Sequence, residues 1–283
     1  MSTVALVLDS TTVLPPDLSA KYNIPFGPAI IIWEGEELRD GIDIQPEEFF
    51  ARLATSPEHP TTSQATPVMF KEIYDDLLAK GYDILTLTIS SKLSGMYSSA
   101  VKAKEMFPDA NIEVIDTRIG AVALIWPVKK ILEAIEAGAS LDVCKSLAEK
   151  LVKNSGIIVV PETLEYLHRG GRIGGASKFI GTALNFKPIL EIVDGEFEGR
   201  ERVRTHTKAL NRLIELAIEK IANRSPVYLG VMHANAPEVA ADLLAKTKAL
   251  IKSKGSVITS VSPGVGVHLG PGTIGLAYMA GID

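Results

Sequence analysis

Residues 84–95 read Ile84-Leu85-Thr86-Leu87-Thr88-Ile89-Ser90-Ser91-Lys92-Leu93-Ser94-Gly95, an apolar run that ends abruptly in serines and a glycine. This pattern predicts a buried strand, then a hydroxyl-rich turn, then a helix. Open α/β sheets bind ligands beyond the carboxyl ends of their strands. The turn is therefore a candidate ligand-binding loop.

Two other segments share this neutral, polar character. They are Thr61-Thr62-Ser63-Gln64 and His268-Leu269-Gly270-Pro271-Gly272-Thr273. Hydroxyl groups and the N–H groups of glycine-rich loops can both donate hydrogen bonds to an anion. Together, the three segments predict a site that binds an anionic head group through hydrogen bonds rather than through cations.

Composition narrows the class of protein. With 283 residues, 46% of them apolar and 22% charged, the chain is long enough for two globular domains. A net charge of −5 argues against nucleic-acid binding, which needs a basic face. The single cysteine, Cys144, allows neither an internal disulfide nor a cysteine-based zinc site. No pair of the five histidines has the spacing of metal ligands, so we expect no metal.

The sequence gives no sign of export or membrane insertion. Met1-Ser2-Thr3 leads straight into a strand-like run, unlike a signal peptide. The longest apolar window, from Ile119 to Val128, is far shorter than the roughly 20 residues of a membrane span, and Pro127 interrupts it. We therefore expect a cytoplasmic protein.

Strand-like and helix-like segments alternate through the first 155 residues. This alternation predicts an α/β/α domain, residues 1–155, with a mostly parallel sheet. After residue 155 the order of predicted elements changes. A hairpin at Asp194-Gly195 is followed by two amphipathic helices and three strands. We therefore predict an α+β domain with a mixed sheet, residues 156–283, and a boundary near Asn154-Ser155-Gly156.

Two of the polar segments hold the main candidate site residues. Ser90, Ser91 and Ser94 precede a predicted helix, where at least one could cap its first turn. Ser94 is the serine that we expect to bind a ligand. His268 is flanked by glycines, which allow a ligand close to the backbone, although a histidine among apolar residues can also be a core residue.

A more specific alternative is a serine hydrolase, with Ser94 as the nucleophile and His268 as the base. No G-x-S-x-G motif occurs, and no acidic residue lies near His268 in the sequence to orient it. Only a distant Asp9 or Asp116 could take that role.

Arginines occur at two places in the second half. Arg169 and Arg172 lie in a glycine-rich connection, where they could meet a phosphate or an acidic partner. Arg200, Arg202 and Arg204 alternate along the second hairpin strand, which predicts that they share one face. That face is either solvated or a docking surface.

Together these segments resemble the DegV family of fatty-acid-binding proteins, whose members include the acyl-carrying subunit of bacterial fatty acid kinase. The resemblance rests on six blocks in the same order along the whole chain. They are Asp9-Ser10-Thr11, Thr62-Ser63-Gln64, Ser90-Ser91-Lys92-Leu93-Ser94-Gly95, Leu164-Glu165-Tyr166-Leu167 with Gly170-Gly171-Arg172-Ile173, Lys187-Pro188-Ile189-Leu190, and His268-Leu269-Gly270-Pro271-Gly272.

The resemblance implies a lipid tunnel between the two domains. It implies that a long-chain fatty acid is bound there, without catalysis or a cofactor. The carboxylate would contact Thr62, Ser94, Gly95 and His268, supported by Thr61, Ser91 and Gly270. Arg172, Arg202 and Arg204 would face the catalytic subunit of a fatty acid kinase.

The sequence departs from the family pattern in places. Met96 follows Gly95 where the family has threonine, and residues 121–125 are bulkier than the usual small residues, which bears on the tunnel. A third interpretation is a phosphotransferase resembling dihydroxyacetone kinase. It would need to bind a nucleotide, but no G-x-x-x-x-G-K-[ST] motif is present.

Overall fold

A computed structural model describes residues 3–180 and 186–283. The strands of the first half are β1 (Val4–Asp9), β2 (Phe26–Gly27), β3 (Ile30–Trp33), β4 (Glu36–Arg39), β5 (Thr61–Ser63), β6 (Asp83–Thr88) and β7 (Ile112–Asp116). Its helices are α1 (Pro16–Tyr22), α2 (Pro46–Leu53), α3 (Pro67–Ala79), α4 (Met96–Lys104), α5 (Ile125–Glu136), which follows a 3-10 turn at Ala121–Leu124, and α6 (Leu141–Lys153).

The strands of the second half are β8 (Ser155–Val160), β9 (Lys187–Val193), β10 (Glu196–Val203), β11 (Val227–His233), β12 (Gly255–Ser260) and β13 (Ile274–Ala280). Its helices are α7 (Glu165–Arg169), α8 (His206–Ile221), α9 (Pro237–Leu250) and α10 (Pro263–Leu269), with a 3-10 turn at Gly174–Phe179.

The first sheet is parallel and lies between two helical layers. Its strand order is β2-β1-β6-β7. Alternate residues of β1 face opposite layers, as the period of a strand requires. Val7 packs with α3 and α4, whereas Leu6 and Leu8 pack with α5 and α6. The predicted α/β/α arrangement is confirmed.

The second sheet is mixed and has the order β10-β9-β8-β13-β11-β12, in which only β11 and β12 are parallel. Its outer face packs against α8 and α9 through Ile158 and Val160. Its inner face, with Ile157 and Val159, belongs to the same apolar cluster as α5 and α6. The halves thus share one core across the predicted boundary at residue 155, and their division into two domains stays a prediction.

A small antiparallel sheet, β4-β3-β5, was not predicted. The apolar run from Ile24 to Trp33 is not one strand, because it breaks between β2 and β3. The segment after it returns as β4 through a tight turn at Glu34-Gly35. The strands are only three or four residues long, and β4 and β5 are mostly or wholly polar, so no hydrophobic pattern marks the two partners of β3. This sheet matters because β5 carries Thr62.

The Asp194-Gly195 hairpin is confirmed, and both residues have positive φ. The prediction that Arg200, Arg202 and Arg204 share one face of the second hairpin strand is wrong. Arg200 lies at a register shift between Gly199 and Glu201, and Arg204 lies beyond Val203, the last residue of β10. The shift places two residues against one on β9, which interrupts the two-residue period.

The hairpin turn is joined to the serine-rich loop of the first half, residues 90–95, which we call the serine loop. Ser90 Oγ donates to the carbonyl of Gly195 at 2.6 Å, and Arg118 donates to the carbonyl of Asp194 at 2.8 Å. Lys92 forms an ion pair with Glu196 at 2.9 Å. These contacts fix β9 and β10 against the carboxyl edge of the first sheet.

We expect Gly195→Ala to destabilise the protein more than Gly35→Ala. Both glycines sit in hairpin turns with φ of +92° and +81°, so both substitutions carry the backbone cost of about 1–2 kcal/mol. A Cβ at Gly195 would also collide with the buried Ser90 Oγ, whereas at Gly35 it would meet nothing within 4 Å. Chemical denaturation should show an extra loss of about 1–3 kcal/mol for Gly195→Ala. Equal losses would contradict the Ser90 contact.

Candidate functional site

A cavity lies between the carboxyl edge of the first sheet and the inner face of the second. It holds about 770 Å³ of atom-free space, including the part continuous with solvent. Its polar lining comes from the three segments singled out in the sequence, from Thr11 and from Arg172. The polar side chains are those of Thr11, Thr62, Ser63, Gln64, Ser94, Arg172 and His268.

The remaining wall of the cavity is apolar. Much of it is the inner face of the second sheet, represented by Ile157, Val159, Ile192, Phe197 and Met232. Ile157, Val159 and Met232 are at most 2% exposed, so this part is a narrow slot rather than an open channel. Ser63 and Gln64 are exposed, which places the mouth at the polar end.

The centre of the polar end is a contact between Thr62 and His268. Thr62 Oγ1 lies 2.7 Å from His268 Nε2. Thr62 is positioned by β5, where it pairs with Ile31 of β3. His268 is in the last turn of α10, whose first turn is capped by the hydroxyl of Ser262. The structure therefore brings two of the predicted carboxylate-binding residues into direct contact.

His268 is held in its neutral form. Burial, and to a smaller extent the charges of Arg172 and His59, lower the pKa of its imidazole from 6.5 to about 4. Its Nδ1 is buried without a hydrogen-bond partner in the described part of the chain. Gly170 packs against this atom so closely that a Cβ there would collide with it.

Arg172 lies at the cavity and brings a cation to a site that the sequence predicted to be uncharged. Its guanidinium donates to the carbonyl of Leu93 at 3.1 Å and to that of Gly170 at 2.6 Å. The chain reverses at Gly171, with φ of +70°, and the N–H of Arg172 returns to the carbonyl of Leu167. This helix ending turns Arg172 towards the serine loop. From the sequence, Arg172 was expected to meet a phosphate or an acidic partner, and it was not among the residues expected to contact the carboxylate.

The predicted capping role of the serines is wrong. Helix α4 begins after Gly95 and has no side-chain cap. Ser90 bonds to the hairpin, and Ser91 bonds to Asp116 through both its N–H and its hydroxyl. Ser94 lines the cavity, and its hydroxyl has no hydrogen-bond partner within residues 3–180 and 186–283. Ser94 is thus free to bind a ligand.

The other predicted residues lie around the cavity rather than on its wall. Gly95 packs against Gln64, and Gly270 packs against the ring of Tyr166. Thr61 is exposed beside Thr62. Arg202 is exposed, and its guanidinium stacks on Phe179 and Phe186 at 5.4 and 5.8 Å from the ring centroids. Arg204 is exposed just beyond β10.

The geometry gives little support to a serine hydrolase. His268 Nε2 faces Thr62 rather than a serine, and no carboxylate within the described ranges orients Nδ1. Asp9 bonds to Thr11 and Ile89, and Asp116 bonds to Ser91. An imidazole with a pKa of about 4 is also a weak base at neutral pH.

The sequence did not identify the apolar wall or the role of Arg172. Alternation along β8 would have indicated Ile157 and Val159, but every residue from Gly156 to Val160 is buried, so no polar face marks which ones line the slot. No group of three potential metal ligands occurs within the described ranges. In the same ranges, every helix is too short or too polar to cross a membrane.

The fold and the cavity define a mixed α/β protein with a ligand-sized cavity between its sheets. The sequence model described as "Uncharacterised protein, DegV family" matches residues 3–281. A DegV domain-containing protein of Caldanaerobacter subterraneus is 33% identical over 282 residues, which is 98% of this chain and 99% of that protein. The chain therefore belongs to the DegV family, as its sequence blocks predicted.

Solved structures give the same fold. A DegV family protein from Thermus thermophilus, described as binding fatty acid, superposes with a TM-score of 0.91 at 31% identity, covering 98% of this chain and 99% of its own. DegV of Bacillus subtilis, described as a fatty acid binding protein, gives a TM-score of 0.88 at 30% identity, covering 99% and 100%.

We expect His268 to make stability depend on pH. Between pH 6.5 and about 4 the unfolded chain binds the proton that the folded chain excludes, so stability is lost as the pH falls. Denaturation of the wild type and of His268→Gln at pH 7.5 and pH 4 measures this effect. The wild type should lose up to about 3 kcal/mol more than the variant. A difference between the two proteins that is independent of pH would contradict the lowered pKa.

Proposed function

We propose that this protein binds a long-chain fatty acid, with the acyl tail in the apolar slot and the carboxylate at the polar mouth. The observation that carries the proposal is that the cavity lining is divided into a polar part and an apolar part. Donor groups lie at the exposed end and apolar side chains line the sheet face. The fatty-acid-binding relatives from Thermus thermophilus and Bacillus subtilis support this class of ligand.

The tail supplies most of the affinity. Burial of each CH₂ contributes about 0.8 kcal/mol, so a 16-carbon tail contributes about 12 kcal/mol before the cost of association is subtracted. Entry of the tail requires the walls of the slot to separate. Met232 suits this role because its unbranched thioether side chain adopts alternative rotamers at low cost.

The head group needs hydrogen bonds more than it needs charge, because an unpaired buried carboxylate is very unfavourable. The free hydroxyl of Ser94 donates one bond. If neutral His268 donates from Nε2 to Thr62 Oγ1, the Thr62 hydroxyl keeps its proton for a second bond. Arg172 adds a positive potential, and two of its five N–H groups donate to the carbonyls of Leu93 and Gly170.

The bound acid would then be presented to the catalytic subunit of a fatty acid kinase. A carboxylate oxygen attacks the γ-phosphorus of a nucleoside triphosphate held by the kinase, forming an acyl phosphate and releasing the nucleoside diphosphate. The exposed mouth leaves the carboxylate accessible from outside. The binding protein contributes no catalytic residue and no cofactor to this step.

We expect the purified protein to carry fatty acid that mass spectrometry of a denatured extract detects. After delipidation, Ser94→Ala should weaken palmitate binding by about 10-fold or more, since a hydrogen bond to a charged group contributes about 1.5–3 kcal/mol. Ser91→Ala is the matched control, because Ser91 bonds to Asp116, and its affinity should change less than about twofold. A delipidated protein without saturable binding of any C14–C20 acid would contradict the proposal.

We also expect Arg204→Ala to reduce acyl-phosphate formation by the partner kinase while palmitate binding persists. Arg202→Ala should behave in the same way, and Arg39→Ala, an exposed arginine at the end of β4, serves as the control. Arg172→Ala should reduce both phosphorylation and binding, because Arg172 lines the cavity. Loss of palmitate binding in Arg204→Ala would overturn its assignment to docking.

A further inference from the structure

Asp40 is a fully buried acid that the proposed head-group site does not use. It follows β4 and has no exposed surface. Its Oδ2 accepts from Ser10 Oγ at 2.7 Å and from Ser262 Oγ at 2.9 Å, and the backbone N–H of Gly264 also donates to the carboxylate. These donors lie at the carboxyl end of β1 and at the start of α10. One carboxylate oxygen therefore holds together elements from both halves of the chain.

Asp40 is also tied to the small sheet that carries Thr62. Its N–H donates to the carbonyl of Ala29 at 2.8 Å, directly before β3. Ser10 Oγ in turn accepts from the N–H of Ala29 at 3.0 Å. Thr62 pairs with Ile31 on the same β3 strand. Asp40 and Thr62 are therefore parts of one hydrogen-bonded sheet.

The hydrogen bond from Ser262 to Asp40 also connects Asp40 to His268, through helix α10. Ser262 caps α10, and His268 lies in the last turn of this seven-residue helix. The backbone hydrogen bonds of such a short helix make it move as a unit. A shift at Ser262 or Gly264 is therefore carried to the imidazole. The helix packs tightly here, because a Cβ on Gly264 would lie 2.7 Å from Asp40 Oδ2.

We propose that Asp40 is a positioning residue for the head-group site: it fixes α10 relative to the small sheet and thereby sets the contact between Thr62 and His268. The inference rests on the proposed function, since the property that it governs is recognition of a carboxylate. Asp40 does not line the cavity, so it acts through Thr62 and His268 rather than on the ligand.

The charge of Asp40 changes near pH 6. Burial, with a smaller contribution from Asp9 at the end of β1, outweighs the hydrogen bonds from Ser10, Ser262 and Gly264 and raises the pKa of its carboxyl from 3.8 to about 6. The other charged neighbours point elsewhere. Arg39 pairs with Asp43, Glu47 and Glu48 on α2 are exposed, and α10 carries only His268. Oδ1 of Asp40 is buried without a hydrogen-bond partner among the described residues, so it is the oxygen that takes the proton. Protonation removes the negative charge that strengthens the hydrogen bonds from Ser10 and Ser262 to Oδ2, so it should loosen the tie to α10.

The test compares Asp40→Ala and Asp40→Asn with Asp43→Asn, an exposed aspartate three residues away. Two ligands with the same tail, palmitate and hexadecanol, separate recognition of the carboxylate from burial of the tail. At pH 7.5 we expect Asp40→Ala to weaken palmitate binding about 10-fold and hexadecanol binding less than about twofold. Asp43→Asn should leave both affinities unchanged.

The pH dependence supplies a second readout. Between pH 7.5 and 5.5, wild-type affinity for palmitate relative to hexadecanol should fall further than that of Asp40→Asn, which has no proton to gain. Titration of palmitate itself affects both proteins equally and cancels in the comparison. Parallel pH profiles would overturn the role of the Asp40 charge.

Equal weakening of both ligands by Asp40→Ala, or weakening of neither, would overturn the positioning role. If Asp40→Ala does not fold, Ser262→Ala breaks the same tie from the helix side, and it should reduce palmitate binding selectively. Failure of the wild type to bind palmitate would instead contradict the proposed function. Normal wild-type binding together with unaffected variants would contradict this inference alone.

Discussion

The hydrogen bond between Thr62 and His268 joins residues 206 positions apart in the sequence and fixes the polar end of the cavity. Every other part of the site is arranged around it. The small sheet presents the threonine, α10 presents the histidine, and the glycine turn after α7 leaves room for the imidazole. The serine loop and Arg172 complete the mouth. The bond is short and partly buried, so it defines the site before any ligand arrives.

The electrostatics of the mouth follow from this arrangement. A buried imidazole beside an arginine stays neutral, because protonation would place a second positive charge in a poorly solvated site. Among the residues that the structure describes, Arg172 is the cation of the site, and two of its five N–H groups donate to backbone carbonyls.

Much of this architecture could be predicted from the sequence. The parallel sheet follows from continuous apolar runs such as residues 84–89, and the hairpin follows from Asp194-Gly195, because both signals are local. The family blocks identified Thr62, Ser94 and His268 as candidates. Their convergence, however, depends on contacts between distant segments. The periodicity of a segment does not encode which other segment it meets.

Other features escaped prediction for identifiable reasons. Strand β5 is polar and short, so its pairing with β3 leaves no hydrophobic pattern. The two-residue period of the arginines was interrupted by a bulge at Arg200. Arg172 resembled a mobile surface cation, because the turn at Gly171 that directs it inward depends on backbone geometry. Asp40 carries no motif, and its burial becomes visible only in the assembled fold.

The core shared by the two sheets also bears on synthesis of the chain. Helices α5 and α6 leave the ribosome before β8 to β13, whose inner face covers part of the same apolar cluster. Until those later strands emerge, residues such as Ile157 and Met279 do not yet cover that surface, and the nascent chain exposes it to solvent or to chaperones. Closure of the shared core therefore depends on β13, which runs through the middle of the second sheet although it follows the other five strands in the chain.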